Sequence, residues 1–208
     1  MNTDIRVWMR HTLIDIARRH QHAGAGSLPA FLAQRTVEMA WTDLTPILAP
    51  IRWAVVGAAA TRLYMPERVT RDLDVAIRAE DAQAARKKLT QAQFTYQGEL
   101  SIGGSTWRTP DGQWIDVIEG REAWWNDALT EAQSNRDAQE LPILPFRYLV
   151  LMKFQSGRVQ DIADVTRMLG QADPAMLDAT RALFKQYAAT DLNDLESLIT
   201  LGKLETGT

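Results

Sequence analysis

"VTRDLDVAIR", residues 69 to 78, sets two aspartates one residue apart in a stretch that otherwise reads as a β-strand. Residues two apart on a strand point to the same face, so Asp72 and Asp74 project side by side while Leu73 and Val75 point the other way. Their Cα atoms lie roughly 6.6 to 7 Å apart. Two carboxylates at that spacing repel each other and lose hydration on burial unless a cation lies between them. A divalent ion meets that need, because Mg2+ takes a few carboxylate oxygens and completes its shell with water and substrate phosphates. Taken alone, the pair reads first as an exposed strand end balanced by Arg68, Arg71 or Arg78. The neighbouring segments change that balance.

Upstream, Trp53, Ala54, Val55 and Val56 form a short apolar run ending at Gly57, the pattern of a strand buried on both faces. A strand that turns into a helix at a glycine presents backbone N–H groups to a phosphate. "AAATRLY" has helical composition up to Pro66. Downstream, "EDAQAARKKLTQAQ" reads as a helix with Ala82, Ala85 and Leu89 on one face. "FTYQGELSI" and "STWRTPDGQWIDVIE" read as β segments, with Asp111-Gly112 as a hairpin turn. Asp116 sits in the second of these among Ile115, Val117 and Ile118, and a third carboxylate on an adjacent strand completes a two-metal cluster. Strand, helix, strand, helix and hairpin describe an α+β fold, a small mixed β-sheet flanked by helices.

The flanks are helical. Ile5, Trp8, Met9, Leu13 and Ile16 recur at helical spacing over residues 3 to 22, "AGAG" ends that helix, and Ser27 with Pro29 opens a second through Met39 and Trp41. Thr45-Pro46 and Ala49-Pro50 mark a break. "REAWWNDALTEA" is a helix in which Trp124 and Trp125, being adjacent, do not share a face, and the first role expected of them is core. After the linker "QSNRDAQELPILP", "FRYLVLMKFQSG" ends at Gly157 and "RVQDIADVTRML" at Gly170, each glycine reading as a C-cap. Asp173-Pro174 opens the next helix, and Leu192, Leu195 and Ile199 mark the last. The expected organisation is a helical segment at 1–50, an α/β core at 51–135 and a helical domain at 140–208.

Of 208 residues, 46% are hydrophobic and 24% charged, the balance of a soluble globular protein of one or two domains. Cysteine is absent, which excludes disulfides and thiolate metal sites. The N-terminus mixes charge where a signal peptide has an apolar core, and no run is long enough to span a membrane, so a cytoplasmic protein without a membrane partner is expected. A net charge of -3 argues against nucleic-acid binding by the whole surface and leaves a local basic pocket to be sought. His11, His20 and His22 read as surface residues of the first helix and its end.

Four segments in order, "VVGAAATRLY", "RVTRDLDV", "WIDVI" and "YLVLMKFQSGRVQDIADVTRML", resemble the DNA polymerase beta-like nucleotidyltransferase superfamily over about residues 50 to 170. The last segment is similar to the small bacterial branch, which includes minimal nucleotidyltransferases and toxins of abortive-infection and toxin–antitoxin pairs. The resemblance implies a nucleotidyltransferase core and a cytoplasmic, metal-binding, nucleotide-binding transferase. Asp72, Asp74 and Asp116 would be both its catalytic residues and its ligands for magnesium or Mn2+, with Asp116 assisting deprotonation of the attacking hydroxyl. Gly57, Ala58, Arg68, Thr70, Lys153, Arg158 and Asp161 would bind the NTP substrate. The acceptor would be a hydroxyl on RNA, tRNA included, or on protein, and the partner a cognate antitoxin or toxin.

Lys153 reads equally as a lysine snorkelling from an apolar helix, and Asp161 and Asp164, three apart, as holders of Lys153 or Arg158. Asp164 reads first as a charge complementing a helix N-terminus. Ala58 departs from the resemblance, standing where a second glycine or a serine is usual and removing a hydroxyl from the phosphate loop. It supports an alternative, a non-catalytic member of the fold acting as a binding or regulatory, antitoxin-like partner. An unrelated α/β domain carrying the motif by accident is the third reading.

Overall fold

The strand read from "DLDVAIR" forms as β2 (Asp72–Arg78) in a five-stranded sheet with β1 (Ala54–Val55), β3 (Thr95–Glu99), β4 (Gly104–Arg108) and β5 (Trp114–Gly120). The computed structural model describes residues 3–20, 40–65, 70 and 72–206, which divide into two compact units. The strand order is β1-β2-β5-β4-β3, with β2 and β5 parallel and the other pairs antiparallel. A parallel pair needs a long crossover, which is supplied by the helix after β2 and by the β3–β4 hairpin. The fold is α+β with a mixed sheet, as the segment pattern implies.

Leu73, Val75 and Ile77 of β2 and Ile115 and Val117 of β5 are buried on one face of the sheet. Burial of each such side chain contributes at most about 1.5–3 kcal/mol. Helix α4 (Ala82–Gln91), whose Ala85 and Leu89 are buried, is tied to this side by Arg86. Its guanidinium donates to both oxygens of Glu99 in β3 and to Glu119 in β5. Three shorter helices complete this unit: α2 (Thr45–Leu48), α3 (Gly57–Ala60) and α5 (Trp125–Ala132). Thr45-Pro46, expected as a break, instead begins α2, because a first-turn proline lacks only an N–H that the helix does not use. Trp124 and Trp125 are both buried and stack with ring centroids 4.2 Å apart, in keeping with the core role. They avoid the constraint of a shared helix face because Trp124 precedes the helix.

The other unit is built from α1 (Thr3–His20), α6 (Phe146–Ser156), α7 (Val159–Gln171), α8 (Pro174–Tyr187) and α9 (Leu192–Thr206). The described residues of the expected N-terminal segment thus go to both units, α1 to the helical one and α2 to the sheet. Gly157, at φ +65°, ends α6 as a left-handed cap. The Asp173 carboxylate accepts from Met176 N at 2.8 Å and caps α8. Gly170 does not end its helix; α7 runs on to Gln171. A Cβ at Gly170 would stand 2.3 Å from the carbonyl oxygen of Gly202 in α9, so the glycine serves a close helix crossing. Arg10 of α1 is buried over the Phe154 ring and donates to Asp191 and Asp194. The second expected helix falls largely on residues 21–39, outside the described residues. Among the described residues no helix is long and apolar enough to cross a membrane.

Candidate active site

The parallel pairing of β2 with β5 sets Asp74 in register with Asp116, and Asp72 with Trp114. In-register residues share a face, so the three aspartates lie on one side of the sheet, opposite Leu73, Val75 and Ile115. Asp72 is exposed, while Asp74 and Asp116 are half-buried. Thr106 lies opposite Asp116 on β4, and its hydroxyl donates to Asp116 Oδ1 at 2.7 Å. A concavity of about 330 Å3 is lined by Asp72, Thr106, Trp114 and Asp116.

Gly57 meets this face directly. Its φ of +63° is a left-handed conformation that glycine adopts without strain. A Cβ there would fall 1.8 Å from Asp74 Oδ2, so any side chain would displace the carboxylate. Val56 N also donates to the Asp74 carbonyl at 2.9 Å, fixing β2 beside the turn. Ala58 is 5% exposed and packs inside α3, where its carbonyl accepts from the Thr61 hydroxyl. The Thr70 hydroxyl donates to the Asp72 carbonyl at 3.2 Å, just before the strand. Arg68 lies outside the described residues, as does Arg71.

Hard oxygen donors on one face suit Mg2+ or Mn2+. Among the described residues, however, no three His, Asp or Glu side chains converge to hold a metal ion, so the expected three-carboxylate cluster is not preformed. Same-face positions along a strand are roughly 6.6–7 Å apart, and Asp116 is turned toward Thr106. The arrangement suits an ion that shares its shell between carboxylates and substrate phosphates, the habit of Mg2+.

Lys153, Arg158 and Asp161 come together in the helical unit. Lys153 is 1% exposed, and its Nζ donates to Asp161 at 3.0 Å and to Asp164 at 2.9 Å. Burial pushes the Asp161 carboxyl up, but the Lys153 charge, the Ser156 hydroxyl and Arg158 outweigh it and hold the group below the usual carboxylate range. The Lys153 ammonium thus meets both carboxylates that the sequence reading named as its holders. Asp164 is corrected from a helix-terminus charge to a partner of that lysine. Arg158 keeps an exposed side chain while its Nε donates to Asp161.

Two residues of the sheet site escape the sequence reading. Trp114 stands two before Asp116, so strand parity alone puts it on the same face. Thr106 is found only through the β4–β5 register.

No family model matches the chain, and no curated protein does. Among solved structures, the antibiotic-resistance factor ANT(2'')-Ia in solution overlaps at a TM-score of 0.46, with 15% identity over 70% of this chain and 89% of that one. ANT(2'')-Ia in complex with adenylyl-2''-tobramycin overlaps at 0.41, with 12% identity over 72% and 87%. Overlaps this loose describe a likeness only, and the functional reading rests on the carboxylate face itself.

Proposed function

We propose that the protein is a metal-dependent nucleotidyltransferase that moves an NMP unit from an NTP to a hydroxyl on RNA or protein, in a toxin-like role. The observation that carries this reading is the register of Asp74 with Asp116, which with Asp72 puts three carboxylates on one sheet face beside an open concavity. Asp72, Asp74 and Asp116 would hold Mg2+ or Mn2+ together with the triphosphate, and the ion would supply neutralisation of the charge on the leaving pyrophosphate. The acceptor oxygen forms a bond to the α-phosphorus as the bond to the bridging oxygen breaks, and pyrophosphate leaves with that electron pair. Asp116 takes the hydroxyl proton. Thr106 occupies Oδ1 of Asp116, leaving Oδ2 for that transfer and fixing the carboxylate plane. Gly57 leaves the Asp74 carboxylate its space.

The test is incubation with each labelled NTP, Mg2+ and a whole-cell extract, followed by separation of RNA from protein. Label in one fraction, lost in the Asp72→Ala/Asp74→Ala double variant, supports transfer. Label in neither, with no Mg2+-dependent thermal shift by any NTP, overturns the enzyme in favour of the non-catalytic, antitoxin-like partner.

A further inference from the structure

Trp114 is 41% exposed at the rim of the carboxylate face; Trp8 of α1 is exposed too, whereas Trp41, Trp53, Trp107, Trp124 and Trp125, all in the same unit as Trp114, are buried. Leaving so large an aromatic surface in water forgoes burial that would stabilise the fold. Its position is specific. In-register partners flank it on both sides, Asp72 on β2 and Arg108 on β4, so one row across three strands reads carboxylate, indole, guanidinium. The Arg108 guanidinium lies 5.8 Å from the indole centroid, and among the described residues it meets no carboxylate. Asp116 is two residues along the strand from the indole and lines the same concavity.

The row is held firmly. Thr109 N donates to the Gln113 carbonyl at 2.9 Å, and Gln113 N donates to the Thr109 hydroxyl at 2.8 Å, closing the turn between Arg108 and Trp114. The Gln113 side chain accepts from Thr42 and donates to the Ala40 carbonyl, tying the strand start to a second segment. An exposed aromatic held in place pre-organises a stacking surface, which lowers the ordering needed when a ligand binds.

An aromatic face beside a cation matches a nucleobase and its phosphate, the pairing that single-stranded nucleic-acid sites use. A peptide acceptor would present no planar base to the indole. We propose that Trp114 and Arg108 form a ledge for the terminal base and adjacent phosphate of a single-stranded RNA acceptor. This rests on the transferase reading and narrows its acceptor from RNA or protein to RNA.

The test is the affinity of the full-length protein for a short 5'-fluorescein oligoribonucleotide, by anisotropy across a salt series. Trp114→Ala weakens binding roughly ten-fold or more, while Trp114→Phe retains most of it. Arg108→Gln reduces the slope of log K against log salt by about one. The thermal shift of the same Trp114→Ala variant with ATP and Mg2+ is measured alongside. RNA affinity unchanged in Trp114→Ala overturns the proposal. So does loss of the ATP shift with RNA binding intact, which assigns the indole to the NTP base, or entry of label into protein alone. RNA binding that depends on Trp114 without any nucleotidyl transfer supports the ledge and sinks the transferase, so the two readings fail separately.

Discussion

Asp161 and Asp164 in the helical unit and Asp72 and Asp116 in the sheet are the same residue type in opposite electrostatic settings. The first pair is buried and shares the Lys153 ammonium, with the Arg158 guanidinium as a second cation on Asp161, so its charge is balanced within the fold. Among the described residues, Asp72 and Asp116 meet no lysine or arginine, and both line an open concavity. A balanced carboxylate stabilises; one left without a cation at a cavity is available to a ligand that brings its own positive charge. Exposure and pairing separate a structural aspartate from a candidate functional one.

Lys153→Met is the largest expected break of this contrast. It removes the ammonium that two buried carboxylates share, and urea unfolding should show a loss of about 3–5 kcal/mol. A loss under about 1 kcal/mol would show that the helical cluster is not internally balanced. Asp116→Asn should do the reverse, lowering transfer by about 10²–10⁴-fold while shifting the urea midpoint little. Asparagine can still accept from Thr106, which keeps the test on charge and proton transfer. Gly57→Ala sits between the two: its methyl displaces the Asp74 carboxylate, so stability should fall by about 1–3 kcal/mol and the Mg2+-dependent NTP shift should disappear.

The smallest effect belongs to a third setting, the exposed pairing of Glu99 with Arg86. The Arg86 guanidinium and the Tyr96 hydroxyl hold the Glu99 carboxyl down to about 2, from an ordinary 4.5. A group with a depressed folded pKa stabilises fully above its unfolded value and loses that contribution as pH falls through the folded one. The difference in melting temperature between wild type and Glu99→Gln should therefore be largest above pH 4.5 and shrink toward pH 2. A difference constant across that range would remove Arg86 as the cause.

Local rules carried much of the fold. "DLDVAIR" became β2, Asp173-Pro174 became a helix start, and Gly157 became a helix end, because parity, capping and glycine conformation act within a few residues. Gly170 shows where such rules stop: a glycine after a helical run reads as a cap, but its role was set by Gly202, far along the chain. Lys153 follows the same logic, since an apolar helix predicts a snorkelling lysine until a second helix supplies two carboxylates.

The sequence by itself determined that Asp72 and Asp74 share a strand face and that Asp116 belongs to another strand, since side-chain alternation is a property of the backbone alone. Only the tertiary structure decided that Asp116 lies beside Asp74, that Gly57 abuts their carboxylates, and that Trp114 stands between Asp72 and Arg108. Register between strands distant in sequence is fixed by the packing of the whole sheet, and no short stretch of chain encodes it.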